Sequence, residues 1–429
     1  GVEGTQENTL RGLRGLQTRR LDTGRVEVIE PTQGLDAQLT IDVMLQARVQ
    51  ALMSAPAGLA VVQPWHMQES STQPLGNVLN GAAVVLDIDT SEVLAMVSTP
   101  TFTREQLRSD PASVYQDQRN TPYINRAIAK PYPPGSIVKA MILSDAVTKG
   151  NFRVGQSIAC TGHLLPNQPN LYRCWIYKRF QTTHNDQLGH ELSGREGIMC
   201  SCNIFFFTLG RRMGVEGIVD TYRRFGVTKP FNLQVGLEYA GALGGKNDGS
   251  DLAIPDAIQM GIGQGPVAWT PLHAANAMAT LARGGLAVSP TVLKGAKSDD
   301  PVDLGLSAQG VDEAMEGLRM SVGQELGTGH HLTIDGNREP IFNVQGVQIW
   351  GKTGTADAPD LYVDPDGRSG PDPRVLVEEG DHSWFVILVG RDRPRYVISV
   401  VIDYGGSGGK VSGPICNQII HALIVEGYL

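Results

Sequence analysis

The sequence predicts an α+β fold, an antiparallel sheet with helices segregated beside it. Three observations lead there. Strand-sized apolar runs dominate the last third, at 344–356, 382–390 and 396–404. An earlier strand pair, 81–88 and 92–97, is joined by the turn Asp89-Thr90-Ser91. Between these groups lies a helix over 136–148, apolar on nearly every side through Ile137, Val138, Ala140, Met141, Ile142, Leu143, Ala146 and Val147. A helix apolar all round is buried centrally.

The other elements follow in order. Residues 1–35 are polar and Arg-rich with little periodicity, and read as part of an upstream domain or linker. Leu39-Thr40-Ile41 reads as a short strand, and Asp42 caps a helical run to about Met53, closed by Pro56 and Gly58. Residues 63–80 read as loop and 100–134 as irregular. Gly150 ends the buried helix. Helical stretches are expected around 194–213, 215–225 and 271–283, with a Gly-rich loop at 241–250. An acidic loop at 357–381 carries Asp357, Asp360, Asp364, Asp366, Asp372, Glu378, Glu379 and Asp381, and reads as a solvated insertion ahead of a segment that shapes access. Gly405-Gly406-Ser407-Gly408-Gly409 leads into a last helix at about 412–426.

Composition excludes several function classes. The 429 residues are 41% apolar and 19% charged, an ordinary globular balance. A net charge of -8 without a basic run argues against nucleic acid as a partner. No stretch approaches the roughly 18 unbroken apolar residues of a membrane span. The chain starts at Gly1 with no Met and no apolar leader, and reads as a fragment. The histidines offer no competing triad, and no His-x-x-x-His spacing offers a zinc motif. Cys160 and Cys174 lie in a polar loop, and their state stays open among a disulfide, free thiols and a zinc site with His163 or His184.

Chemistry concentrates in three segments. In Pro133-Pro134-Gly135-Ser136-Ile137-Val138-Lys139, Ser136 starts the buried helix and Lys139 follows one turn later on the same face. A serine hydroxyl needs a base, and a lysine serves only if burial lowers its pKa. The helix N-terminus offers free N–H groups to an oxyanion. In Ser201-Cys202-Asn203, Ser201 is a candidate proton relay and Asn203 a candidate for holding a substrate amide, with the apolar Ile204 to Phe207 anchoring them. In Trp350-Gly351-Lys352-Thr353-Gly354-Thr355-Ala356, a strand end offers backbone to an extended peptide, and Lys352, Thr353 and Thr355 offer groups to a carboxylate. Gly354 permits close backbone approach. A P-loop is rejected, because Lys352 precedes Gly354 and an acidic loop follows.

In this order the three segments match the S-x-x-K, S-x-N and K-T-G set. With Leu10-Arg11-Gly12, Leu39-Thr40-Ile41-Asp42, Asn125-Arg126-Ala127, Gly261 to Gly265, Thr270-Pro271-Leu272 and His382-Ser383-Trp384-Phe385, nearly the whole chain resembles class B penicillin-binding proteins, nearest the penicillin-binding protein 2 branch of cell elongation. The resemblance implies a penicillin-binding/serine β-lactamase-like transpeptidase fold over 39–429, preceded by a remnant of an N-terminal pedestal or dimerisation domain over 1–38. It implies a D,D-transpeptidase that cross-links peptidoglycan stem peptides and is acylated by β-lactams. Ser136 would attack, Lys139 would accept its proton, and the N–H groups of Ser136 and Thr355 would hold the oxyanion. Ser201 and Lys352 would pass a proton to the leaving D-Ala. Asn203, Thr353, Gly354 and Thr355 would hold the donor peptide. No cofactor and no catalytic metal are implied. A single-pass membrane anchor, a catalytic domain outside the cytoplasm in the periplasm, and a membrane-embedded glycosyltransferase partner are. Ile137-Val138 departs from the commoner Thr-Phe pair between Ser136 and Lys139. The alternatives weighed are a D,D-carboxypeptidase, a β-lactamase or β-lactam sensor, and a scaffold of the elongation or division complex.

Overall fold

A computed structural model describes residues 1–66, 74–296, 299–364 and 374–429. Its centre is a five-stranded antiparallel sheet. The strands are β1 (Gly81–Asp87), β2 (Val93–Thr99), β3 (Gln348–Asp357), β4 (Asp381–Gly390) and β5 (Tyr396–Ile402), in the order β3-β4-β5-β1-β2. β1 and β5 are buried at every residue, because both sheet faces are covered; hence their unbroken apolar runs.

One face is covered by α1 (Val43–Leu52), capped by the Asp42 carboxylate on the Met44 and Leu45 N–H groups, and by α7 (Ser412–Val425). The other meets the helical part of the molecule: α2 (Lys139–Thr148), α3 (Gly194–Met199), α4 (Asn203–Arg224), α5 (Pro271–Ala282) and α6 (Ala308–Gly323). In α2, Lys139 to Ala146 are all buried. Asp145, fully buried on α2, ties it to α4 by accepting from Thr221 and Arg224, with Lys149 beside it. Such an ion pair fixes register more than it adds stability.

Several expectations need correction. The stretch 100–134 is not wholly irregular: capped helices run over Arg104–Ser109 and Pro111–Tyr115. The expected break at 214 is only a kink, Gly214 having a φ of 67° inside α4. The separation falls earlier, where Ser201 takes a left-handed φ of 54° between α3 and α4. Helix α6 went unread, as did the short helices Trp175–Phe180, His184–Leu188 and Ile254–Met260. Residues 1–35 hold two short helices and an exposed hairpin, Leu16–Arg19 with Val26–Ile29. The acidic segment carries a strand pair, Leu361–Val363 with Val375–Glu378, fastened by Arg119 to Glu378 and by Tyr404 to the Pro359 carbonyl. Asp366 and Asp372 lie outside the described residues.

Candidate active site

The start of α2 is pinned by backbone. Residues Gly135–Val138 form a 3₁₀ turn leading into α2, and the Gly135 N–H donates to the Gly263 carbonyl at 2.8 Å. Gly135 and Gly263 both have positive φ, 61° and 74°. A Cβ on Gly263 would lie 2.1 Å from the Gly135 carbonyl oxygen, so only glycine permits this approach. Ser136 heads the turn, and Lys139 opens α2 one turn later.

Lys139 is fully buried. Its Nζ donates to the Ser201 carbonyl at 2.9 Å, the Ser201 Oγ at 3.1 Å and the Asn203 Oδ1 at 2.8 Å. It also sits 5.3 Å from the centre of the Phe206 ring. The left-handed turn at Ser201 brings its carbonyl and hydroxyl to the same amine. Burial pushes the Lys139 pKa down to about 8, against an opposing pull from Cys174, Cys202 and Cys200. Lys352 is also fully buried, with its Nζ on the Thr353 carbonyl at 2.9 Å. Burial, and then the Lys139 charge, hold it well below the ordinary lysine range. Among the described residues no carboxylate acts on either amine. Uncompensated buried ammonium groups cost several kcal/mol each.

β3 forms the facing wall, as an edge strand paired only with β4. A Cβ on Gly354 would lie 3.0 Å from the Ile137 side chain, and one on Gly135 would lie 2.9 Å from the Thr355 carbonyl. The Ser136 turn and the Gly354-Thr355 backbone are therefore in contact. Thr355 is exposed, while Thr353 is buried and shares a 2.7 Å hydroxyl hydrogen bond with Thr328. These contacts bring Ser136, Lys139, Ser201, Asn203, Lys352, Thr353, Gly354 and Thr355 together where α2, the Ser201 turn and β3 meet. Sequence reasoning missed Thr328. Its N–H reaches the Met199 carbonyl and its hydroxyl reaches Thr353, so it links α3 to β3. Nothing local in the sequence marks it.

Behind the Ser201 turn lies a second cluster. Cys160, Cys174, His184 and Cys202 are all buried, with their ligating atoms within 4.8 Å of one another. His184 Nδ1 is 3.5 Å from both the Cys160 and the Cys174 sulfur, and the Cys174 and Cys202 sulfurs are 4.0 Å apart. Cys160 and Cys174, read as loop residues, are buried free thiols here. His184 joins them; His163 instead packs against Tyr177. Burial opposes ionisation of Cys174, but Cys160, Cys202 and His184 outweigh it and hold its thiol well below the usual range. Burial likewise opposes a charged His184, yet the sulfurs around it push its pKa up to about 12. Three thiols and an imidazole are the donor set of a tetrahedral zinc-class ion. Sequence reasoning missed Cys202 as a member, because it was read only as a neighbour of Ser201.

The description "Penicillin binding protein transpeptidase domain" fits residues 81–421. The chain is 27% identical to the peptidoglycan D,D-transpeptidase MrdA of Acinetobacter baumannii over 443 residues, 97% of this chain and 59% of that protein. It is 28% identical to the peptidoglycan D,D-transpeptidase PbpA of Mycobacterium tuberculosis over 377 residues, 80% of this chain and 67% of that one. It thus spans about three fifths to two thirds of these relatives. Among solved structures it is similar to Helicobacter pylori PBP2 in complex with MreC (TM-score 0.76, 20% identity, covering 100% of this chain and 72% of the other). It is also similar to Pseudomonas aeruginosa PBP2 in complex with WCK 5153 (TM-score 0.71, 23% identity, covering 93% and 80%).

Proposed function

This chain belongs to the penicillin-binding protein transpeptidase family, and from that premise we propose that it is a serine D,D-transpeptidase cross-linking peptidoglycan stem peptides. The observation that carries the reading is Lys139: buried, without a carboxylate partner among the described residues, and hydrogen-bonded to Ser201 and Asn203 one turn from Ser136.

In this reading the Ser136 Oγ attacks the carbonyl between two terminal D-alanines. Neutral Lys139 takes its proton, and the depressed pKa supplies that neutral form near neutral pH. Developing negative charge falls to the N–H groups of Ser136 and Thr355, which belong to segments that touch where the turn before α2 meets β3. Ser201 and Lys352 return a proton to the leaving D-Ala nitrogen. The donor peptide extends along the free edge of β3, with Asn203 on its amide and Thr353 and Thr355 on its carboxylate, while Gly354 keeps the wall low. The amine of a second stem peptide then takes the acyl group. A β-lactam acylates the same serine and stays.

Relatives and fold neighbours support a setting. MrdA and PbpA carry transpeptidase names, one neighbour is a PBP2 complex with MreC, and another belongs to a peptidoglycan synthase complex described for polymerization and crosslinking. We place this chain in the elongation branch, outside the cytoplasm, beside a membrane-embedded glycosyltransferase, with residues 1–38 as the remnant of a pedestal domain. Among the described residues no helix is long and apolar enough to cross a membrane.

The test is acylation with a fluorescent penicillin, followed by mapping of the adduct by mass spectrometry. A long-lived adduct on Ser136 is expected. Label elsewhere, or rapid turnover of the penicillin, overturns the proposal. Release of D-Ala to water with no transfer to an added amine would instead identify a carboxypeptidase.

A further inference from the structure

Beside the acidic strand pair, just ahead of β1 and just past β5, lies a cavity of about 280 Å³. Asn80, Asn120, Lys130, His382, Asp403 and Tyr404 line it, and none of the residues gathered around Lys139 does. Its wall carries more buried positive charge than negative. One oxygen of Asp403 accepts from Arg126 Nε at 3.1 Å and from Lys130 Nζ at 2.6 Å, so two cations share one anion. Arg126 is enclosed and spends its terminal nitrogens on the Asn120 carbonyl and on Thr121. Lys130 is not enclosed: its side chain is 26% exposed, and Asp403 takes one of its three N–H groups. Lys130 is therefore the cation with donors left for a ligand. Burial pushes its pKa down, Asp403 opposes that, and Arg126 adds to it.

A second donor faces the same space. His382 is only 3% exposed, and its Nδ1 accepts from the Tyr404 N–H at 3.2 Å. Burial holds the ring neutral by pushing its pKa down to about 4, so the ring proton sits on Nε2. Among the described residues that N–H meets no acceptor, which is unusual for a buried donor. The His382 ring and the Lys130 amine flank one Tyr132 ring, at 5.1 Å between ring centres and 5.3 Å from Nζ to the ring centre. The other charges nearby leave the buried excess in place. Glu378 is met by Arg119 at 2.6 Å, and Asp360 is exposed, where solvent screens it.

We infer that this cavity binds a small carboxylate ligand, its carboxylate meeting Lys130 and a second oxygen acceptor meeting the His382 N–H. One carboxylate brings the Arg126, Asp403 and Lys130 group to neutrality and gives Lys130 a charge-assisted partner. A cation would add to the excess, an uncharged ligand would leave it, and a phosphate dianion would overshoot it beside Asp403. The inference does not rest on the proposed function, and the site shares a segment with it. Lys130 lies six residues before Ser136. Between them Tyr132 pairs through its backbone with Trp269, and the Pro133 carbonyl accepts from the Trp384 indole N–H at 3.1 Å.

The test is calorimetric titration of the whole chain, at fixed ionic strength, with two probes. N-acetylglycine carries a carboxylate and an amide oxygen; N-acetylglycinamide lacks the charge. Saturable binding of the acid is expected, about tenfold or more tighter than that of the amide. Lys130→Met should weaken binding of the acid about tenfold or more, and Lys130→Arg should restore most of it. Binding that survives Lys130→Met is binding elsewhere, the proposed carboxylate site at Thr353 and Thr355 included, and overturns the inference. Equal binding of acid and amide, or no saturable binding of the acid in the millimolar range, overturns it too. If Lys130→Met does not fold, the wild-type chain isotope-labelled at its histidines gives the answer. The His382 Nε2–H resonance, identified by its loss in His382→Gln, should shift with the acid and stay with the amide. A resonance unmoved by the acid overturns the inference. Failure of penicillin to acylate Ser136 would sink the proposed function and leave this site standing.

Discussion

At the scale of single residues, Lys139 carries the sharpest predictions. Its pKa of about 8 lies below the ordinary 10.5, so the neutral base grows as pH rises. Acylation should climb about tenfold per pH unit below that pKa and flatten above it, as read from penicillin labelling rates. The same shift bears on stability. Between about 8 and 10.5 the unfolded chain binds the proton that the folded chain has lost, so stability rises with pH across that window and is flat below it. Lys139→Met should shrink that rise in urea midpoints, leaving the part that the buried Lys352 contributes, and lower acylation by about 10²–10⁴-fold. This lysine was legible because it interrupts a helix apolar on every side. Cys202 was not legible as a partner of Cys160, Cys174 and His184, because only the packed loops bring it to them.

At the scale of elements, the turn before α2 and the end of β3 are the sensitive places. Gly263→Ala should cost at least about 2 kcal/mol, adding a backbone clash to a left-handed penalty, and should slow acylation by moving Gly135. Chemical denaturation and penicillin labelling read the two effects separately. At the far end of β3, Asp357 lies opposite Asp381. Burial, then Asp357, push the Asp381 pKa up from 3.8 to about 6. Charging it therefore costs stability as pH climbs through that window. Asp381→Asn should raise the thermal midpoint at neutral pH, with the gain fading as pH falls toward 4. Strand pairs and the buried helix were readable from apolar runs. Helix α6 was not: its buried face includes Gly310, Glu313, Gly317 and Ser321, which carry little hydrophobic signal. Glu313 is buried because Arg195 meets it at 2.6 Å, a pairing invisible in local sequence.

At the scale of the whole molecule, the sheet closes only when β3, β4 and β5 return to β1, across the long helical insertion. β5 lands between β4 and β1, so its register with Gly81 to Asp87 is set by packing on both faces and not by any short turn. Alternation alone did not predict that order. The closure is locked by Arg126, fully buried before α2, which reaches Asp403 just past β5 at 3.1 Å; Lys130 meets the same carboxylate at 2.6 Å. Both cations hold Asp403 far below the usual carboxylate range despite its burial. Arg126→Met should cost about 3 kcal/mol, the low end for breaking a buried pair, because Lys130 still faces the carboxylate. A denaturant midpoint shifted by less than a third of that would show that the lock is not structural.

The position of β3 at the rim of the sheet has one more consequence. An unpaired strand edge is what proteins usually blunt with prolines, charges or bulges, because any extended chain can add to it. Here the edge residues are Lys352, Thr353, Gly354 and Thr355, and blunting them would blunt the proposed function. The Ser136 turn packs against that edge at Gly354 and Thr355, and so covers part of the strand that another sheet would need. The molecule is in this sense a sheet left one strand short, and each turnover would complete it briefly and then undo it.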